Sequence, residues 1–221
     1  MEHIMRIALD GPSGSGKSTV AKRLSKELNI LYLDTGAMYR ATALKALSLG
    51  IDTFDIGGVS SFVGNLDLEI KYIDGTQHTF LDGEDVSEKI REPHVSMAAS
   101  NISSLKCVRL KMVEMQRKIA ASMSCVLDGR DIGSFVLPDA DYKFYITASV
   151  DVRTERRYAE LVAKGHGVDK DLLKKEIEQR DFNDKNRDFA PLVKADDAVL
   201  IDTSDMTVDE VVSKILSYIK K

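Results

Sequence analysis

Gly11, Gly16, Lys17 and Ser18 occupy the fixed places of G-x-x-x-x-G-K-[ST] within Gly11-Pro12-Ser13-Gly14-Ser15-Gly16-Lys17-Ser18-Thr19. Residues of these types at this spacing can hold phosphate. Glycines let the backbone turn its N–H groups inward, and a helix starting at the end of the loop adds the positive end of its dipole. Lys17 supplies a mobile charge for the β- and γ-phosphates of a nucleotide. Ser18 offers a hydroxyl to Mg²⁺, a cation that prefers hard oxygens and keeps several waters, so the nucleotide is expected as its magnesium complex. Every residue from Gly11 to Thr19 is a candidate nucleotide ligand, and Ser18 is the candidate metal ligand.

Further clusters carry groups suited to anions. In Asp34-Thr35-Gly36-Ala37-Met38-Tyr39-Arg40, Thr35 and Arg40 offer a hydroxyl and a guanidinium. Asp128-Gly129-Arg130-Asp131-Ile132-Gly133 alternates charge with glycine directly after an apolar run, where a solvated turn is the plain alternative. Within Arg180-Asp181-Phe182-Asn183-Asp184-Lys185-Asn186-Arg187, Arg180, Asp184 and Arg187 share one helical face, a pattern that surface ion pairs also produce. Their company with a phosphate loop gives these clusters a functional reading.

The elements that must position these groups follow from hydrophobic spacing. Ile4-Met5-Arg6-Ile7-Ala8-Leu9 reads as a strand before the loop, and Val20, Leu24 and Leu28 have helical spacing after it. Leu31-Tyr32-Leu33-Asp34 is a second strand, with Thr35 expected as the cap of a helix running to Gly50. Between Asp52 and Ala121 the pattern changes. Leu66 to Ile73 alternates with period two, Asp74-Gly75 turns, and Thr79-Phe80-Leu81 resumes as an antiparallel hairpin. A second turn at Asp82-Gly83, then Val86 to Ile90 and a helical stretch from Pro93 to Ala121, complete an inserted β-then-α subdomain. Strands return at Cys125 to Asp128, Tyr142 to Thr147 and Ala198 to Asp202, followed by a helix from Val208 to Ile219. The expectation is an α/β fold with a five-stranded, mainly parallel sheet and a ligand crevice beyond the strands' carboxyl ends, where the loop, Asp34, Asp128 and Asp202 fall. Charged helical blocks from Val150 to Lys164 and from Asp169 to Asp188, broken at Gly165-His166-Gly167, read as a moving lid.

Composition narrows the class. The 221 residues suffice for one core with an insert, and no run of about 18 apolar residues exists to span a bilayer. A net charge of −4 argues against an extended nucleic-acid footprint. The leading Met1-Glu2-His3-Ile4-Met5-Arg6 has no signal-peptide pattern, so cytoplasm is the expected location. Cys107 and Cys125 lie in apolar surroundings without metal or redox spacing, and His3, His78, His94 and His166 are scattered, so zinc is not expected.

With these motifs assembled, the sequence from Ile4 to about Tyr218 resembles bacterial cytidylate kinases of the nucleoside monophosphate kinase group. The resemblance rests on the loop beginning at Asp10, on Asp34 to Arg40, on Asp128 to Gly133, and on Asn183 to Arg187 with Ala190-Pro191-Leu192 after them. It implies ATP and CMP or dCMP as substrates, Mg²⁺, and a monomeric chain. The implied layout is a core over about 1–60 and 122–221, a monophosphate-binding insert over about 61–121 and a lid over about 150–170. Cytosine is expected at Ser100, Arg109 and Asp131, the acceptor phosphate at Thr35, Arg40, Arg130 and Arg187, and the ribose at Arg180 and Asp184. Thr35 stands where many members carry serine, which keeps the hydroxyl. The lid arginines correspond to Arg153, Arg156 and Arg157, and Lys17, Arg130, Arg157 and Arg187 are the expected catalytic cations. The rivals are a regulatory P-loop NTPase, a kinase for another small acceptor such as UMP or a sugar acid, and a non-catalytic nucleotide-binding module. Acceptor-phosphate arginines argue against the first, and the intact Lys17 and Ser18 against the last.

Overall fold

The computed structural model describes residues 3–165 and 167–219, so His166 of the expected glycine-flanked break lies outside the described residues. In chain order the elements are β1 (Arg6–Asp10), α1 (Lys17–Leu28), β2 (Leu31–Asp34), α2 (Thr35–Ser48), α3 (Ile56–Val63), β3 (Leu68–Ile73), β4 (Thr76–Leu81), β5 (Glu84–Asp85), α4 (Pro93–Ile102), α5 (Lys106–Ala120), β6 (Cys125–Gly129), β7 (Tyr142–Thr147), α6 (Val150–Ala163), α7 (Lys170–Asn186), β8 (Val199–Asp202) and α8 (Val208–Ile219).

The five apolar runs form one sheet in the order β2-β6-β1-β7-β8. β1 pairs in parallel with β6 and β7, and β7 with β8. Strands covered on both faces read as continuous apolar runs, which is why these segments lack alternation. Ile7, Leu9, Val126, Phe144, Ile146 and Ile201 pack with Val20 and Leu24 of α1 and with Val211, Val212 and Ile215 of α8. The register sets Asp10 beside Gly129 on one side and Tyr145 on the other. Consequently the segments after β1 and β6, which begin at Gly11 and Arg130, leave the sheet side by side.

The chain divides into two compact units, one formed by the residues up to Tyr32 with those from Met123 on, the other by Leu33–Ser122. The second unit includes α2 and α3 as well as the hairpin and helices read as the insert. Its sheet is antiparallel in the order β3-β4-β5, with Leu68 facing Leu81 and Ile73 facing Thr76. Val59, Ile90, Val95, Ile102, Val108 and Met112 are buried here.

The helical stretch expected from Pro93 to Ala121 consists of two helices, α4 and α5. Ser103 Oγ donates to Ser100 O at 2.8 Å and Ser104 Oγ to Asn101 O at 2.7 Å. Side chains of this kind compete with the helical ladder and favour its ends. In the first unit, Leu161 of α6 packs with Leu173 and Ile177 of α7. Among the described residues no helix is long and apolar enough to cross a membrane, and no three His, Cys, Asp or Glu side chains group as a metal site. Cys125 is buried, which pushes its thiol up to about 11, and Cys107 sits 3.4 Å from Ser60 Oγ. His3 and His78 each contact an aspartate, Asp141 at 2.8 Å and Asp85 at 2.7 Å.

Candidate functional site

The phosphate loop is held by close backbone packing. Gly11 has φ +142°, and a Cβ there would lie 1.9 Å from the Ile146 carbonyl oxygen, so any side chain would force β1 and β7 apart. Gly16, at φ 90°, precedes the first turn of α1. Ser18 and Thr19 are exposed in that turn, whereas Lys17 is only 5% exposed. Its ammonium donates to Pro12 O at 2.6 Å and to Ser15 Oγ at 3.2 Å, and Ser15 Oγ donates to Pro12 O at 3.0 Å. Burial and then the nearby Arg130 hold the Lys17 pKa well below its ordinary value, against the pull of Asp128 and Asp10.

Beside the loop, the segment after β6 carries Arg130 and Asp131. Arg130 Nε donates to Asp184 Oδ2 of α7 at 2.9 Å, and its Nη1 donates to Gly129 O at 3.2 Å. Asp131, 4% exposed, lies 3.5 Å from Arg187 Nη2. Asp184 also lies 3.8 Å from Arg187 Nη1 and feels Arg180. Burial works against the Asp184 charge, but Arg130, Arg180 and Arg187 outweigh it and set its pKa below the usual carboxylate range. Burial likewise opposes the Arg130 charge, and Asp184 more than restores it. The structure thus gathers Lys17, Arg130, Asp131, Arg180, Asp184 and Arg187 in one unit.

Several residues support this cluster without having announced themselves. Asp10 accepts the N–H groups of Ile132 and Gly133, each at 2.7 Å. Ala190 has φ 49°, an uncommon conformation for alanine, and its carbonyl accepts from Arg187 Nε at 2.6 Å. Phe189 packs edge-on against Phe135, with ring centroids 5.0 Å apart.

The arginines of α6 differ sharply. Arg153 is buried, its Nε donating to Ala148 O at 3.0 Å, Nη1 to Ser13 O at 3.1 Å and Nη2 to Asp181 Oδ2 at 2.6 Å. It braces the phosphate loop from the side. Arg156 donates to Thr203 Oγ1 at 3.0 Å and Thr203 O at 2.7 Å, while Arg157 pairs with exposed Glu160 at 2.8 Å.

In the second unit, the cap of α2 is Asp34 and not Thr35, which is the helix's first residue. Asp34 Oδ1 accepts from Ala37 N at 3.0 Å and Oδ2 accepts from Arg40 Nη2 at 2.8 Å. A carboxylate serves cap and guanidinium from separate oxygens and with a negative charge that a hydroxyl lacks. Gln77 of β4 fixes the Asp34 backbone, its Oε1 accepting from Asp34 N at 2.7 Å. Thr35 is buried. Arg109 of α5 is 1% exposed, lies 5.5 Å from the Tyr39 ring centroid, and donates to Ser103 O at 3.2 Å. The break between α4 and α5 supplies that carbonyl. Ser100 lies half-buried near the end of α4.

The sequence model of the cytidylate kinase family matches residues 7–221. The cytidylate kinase of Caldicellulosiruptor saccharolyticus is 47% identical over 217 residues, which span 98% of this chain and 96% of that one. The cytidylate kinase of Clostridioides difficile is 49% identical over 213 residues, 96% of this chain and 97% of that one. Among solved structures, an uncharacterized protein from Eubacterium ventriosum is similar in fold over 99% of each chain, with a TM-score of 0.56 at 18% identity.

Proposed function

This chain belongs to the cytidylate kinase family, and we propose that it transfers the γ-phosphoryl group of ATP to CMP or dCMP, giving ADP and CDP or dCDP. An oxygen of the acceptor's phosphate bonds to the γ-phosphorus as the bond to the bridging β-γ oxygen breaks, and ADP leaves without a covalent enzyme intermediate. In such a transfer catalysis is mostly positioning plus neutralisation of charge on the migrating group.

Gly11 to Thr19 are assigned to ATP, with Lys17 stabilising the β- and γ-phosphates. Magnesium fits this loop: Ser18 presents an exposed hydroxyl, a hard oxygen of the kind this cation prefers. When bound, Mg²⁺ neutralises part of the charge on the nucleotide phosphates. Arg130 and Arg187 are assigned to the acceptor phosphate, Arg180 and Asp184 to the ribose, and Asp131 to the base. From the second unit, Thr35 and Arg40 are assigned to the phosphate, and Ser100 and Arg109 to cytosine. Arg157 is assigned to the transferring phosphoryl, because exposed Glu160 is a partner it can leave, whereas Arg153 and Arg156 are tied to the backbone carbonyls of Ser13 and Thr203. Helices α6 and α7 are read as the lid, the chain as a cytoplasmic monomer.

The observation that carries the acceptor reading is the buried Asp131 carboxylate beside Arg130 and Arg187. An ionised carboxylate accepts from the N4 amino group of cytosine and repels O4 of uracil. The lost hydrogen bond and the added repulsion together cost about 1.4 kcal/mol or more, so CMP should exceed UMP by at least about tenfold in kcat/KM. Initial rates of ADP release with CMP, dCMP, UMP and shikimate test this, and Asp131→Ala should narrow the CMP:UMP ratio. Equal use of UMP and CMP by the wild type would overturn the base assignment.

A further inference from the structure

Asp10 has no part in the reaction as assigned above, yet its 5% exposed carboxylate is fully engaged. Oδ1 takes the N–H of Ile132 and Oδ2 that of Gly133, both at 2.7 Å. These are the first N–H groups of the wide turn over Ile132–Val136, whose later donors Phe135 N and Val136 N return to the Asp131 carbonyl. The opening N–H groups of a helical turn have no partner within it and are ordinarily taken by the side chain of the residue in the cap position. Asp131 holds that position and belongs to the residue types that cap best, but its side chain makes no capping bond. The cap comes instead from a carboxylate 122 residues before Ile132, at the end of β1 and directly before the phosphate loop.

We propose that Asp10 is a positioning residue for the acceptor base: by capping the 132–136 turn in place of Asp131, it releases the Asp131 carboxylate to read cytosine and ties the Arg130–Asp131 segment to the phosphate loop. The inference rests on the assignment of Asp131 to the base. Without Asp10, the unpartnered N–H groups of Ile132 and Gly133 would draw the Asp131 carboxylate into its own cap. Asparagine at position 10 offers one acceptor oxygen and sets its amide N–H₂ against the second backbone donor. The groups facing Asp10 are Asp131, Lys17, and Tyr145 and Lys143 of β7. Burial, opposed by its two backbone bonds, lifts the Asp10 pKa to about 6.

The test is a double-mutant cycle read as the CMP:UMP ratio of kcat/KM. Asp10→Asn should lower the ratio by about tenfold or more while the KM for ATP stays within about threefold. Asp131→Ala added to Asp10→Asn should lower it little further, because the carboxylate it removes has already been diverted. Additive effects, an unchanged ratio, or equal rises in the KM values for ATP and CMP would overturn the proposal. Failure of the underlying reading looks different: Asp131→Ala alone would then leave the ratio untouched. Should Asp10→Asn not fold, the wild type decides. CMP and UMP carry the same phosphate, so its ionisation cancels in their ratio. The ratio should fall with the shift of the Ile132 and Gly133 amide protons as pH drops through about 6. A ratio constant across that amide transition would refute the role.

Discussion

Replacing Asp184 by asparagine removes a negative charge that Arg130, Arg180 and Arg187 share. Asp184 is 6% exposed, with Arg130 Nε at 2.9 Å and Arg187 Nη1 at 3.8 Å. Breaking a buried pair by removing one partner costs about 3–5 kcal/mol. The Arg130 side chain is 19% exposed and the new amide oxygen can still accept from its Nε, so solvent screening and the retained bond reduce the expected loss to about 2–3 kcal/mol. For a chain of this size that lowers Tm by about 4–12 °C in a thermal scan. The guanidiniums left without their carboxylate should then attract an anion, and sulfate at about 100 times its Kd returns about 2.7 kcal/mol by linkage. Sulfate should therefore raise the Tm of Asp184→Asn by more than it raises that of the wild type. The acid limb gives a second reading. Because the Asp184 pKa is depressed in the fold, its contribution is complete above the ordinary carboxylate range of about 4 and is lost as pH falls through the lower folded value. Stability of the variant should thus depend less on pH in that acid window. A loss under about 1 kcal/mol, or equal sulfate effects on both proteins, would refute the idea that Asp184 balances the arginine cluster.

Lys17→Ala should cut kcat by about a hundredfold or more while Tm changes little, since burial and Arg130 already disfavour the lysine's charge in the fold. An active variant, measured by ADP release, would remove the phosphate loop from the mechanism. Arg40→Ala and Arg187→Ala should each raise the KM for CMP by about ten- to a hundredfold with ATP binding nearly unchanged, the loss of a charge-assisted bond worth about 1.5–3 kcal/mol. Steady-state titration of each substrate separates the outcomes, and a KM effect confined to ATP would reverse the assignment.

The sheet and its strand ends were legible because parallel strands buried on both faces are written as short uninterrupted apolar runs, and Asp34, Asp128 and Asp202 close or nearly close theirs. The phosphate loop was legible because its glycines and lysine serve backbone geometry and charge at fixed spacing. The break at Ser103–Leu105 was not, since helical periodicity passes through it and only the side-chain back-bonds reveal it. The same limit hid the Asp34 cap: Thr35 and Asp34 are both good capping types, and Arg40 decides between them through a contact six residues away. Asp10, Ala190 and Gln77 were illegible as supporting residues for a common reason. Each acts through a hydrogen bond to a partner whose position depends on the fold, so neither residue type nor spacing marks it.

One property of the site emerges only from these contacts: the principal cations assigned to phosphate are all held by acceptors of their own. Lys17 has Pro12 O and Ser15 Oγ, Arg40 has Asp34, Arg130 has Asp184, and Arg187 has Ala190 O with Asp131. A carboxylate on one edge of a guanidinium lowers the cost of burying it and fixes the plane of the fork, leaving other N–H groups to meet a phosphate. For Arg40 the bond to Asp34 uses Nη2, and the buried Nε has no partner among the described residues. A phosphate can then add to an ordered guanidinium rather than order a free one, and most of the orientation is in place before binding. It follows that the supporting acceptors set the geometry of the cations as well as balancing their charge. Truncating Asp34 or Asp184 leaves the arginines present and their surroundings more positive, so phosphate affinity should rise while the in-line alignment, and with it kcat, falls.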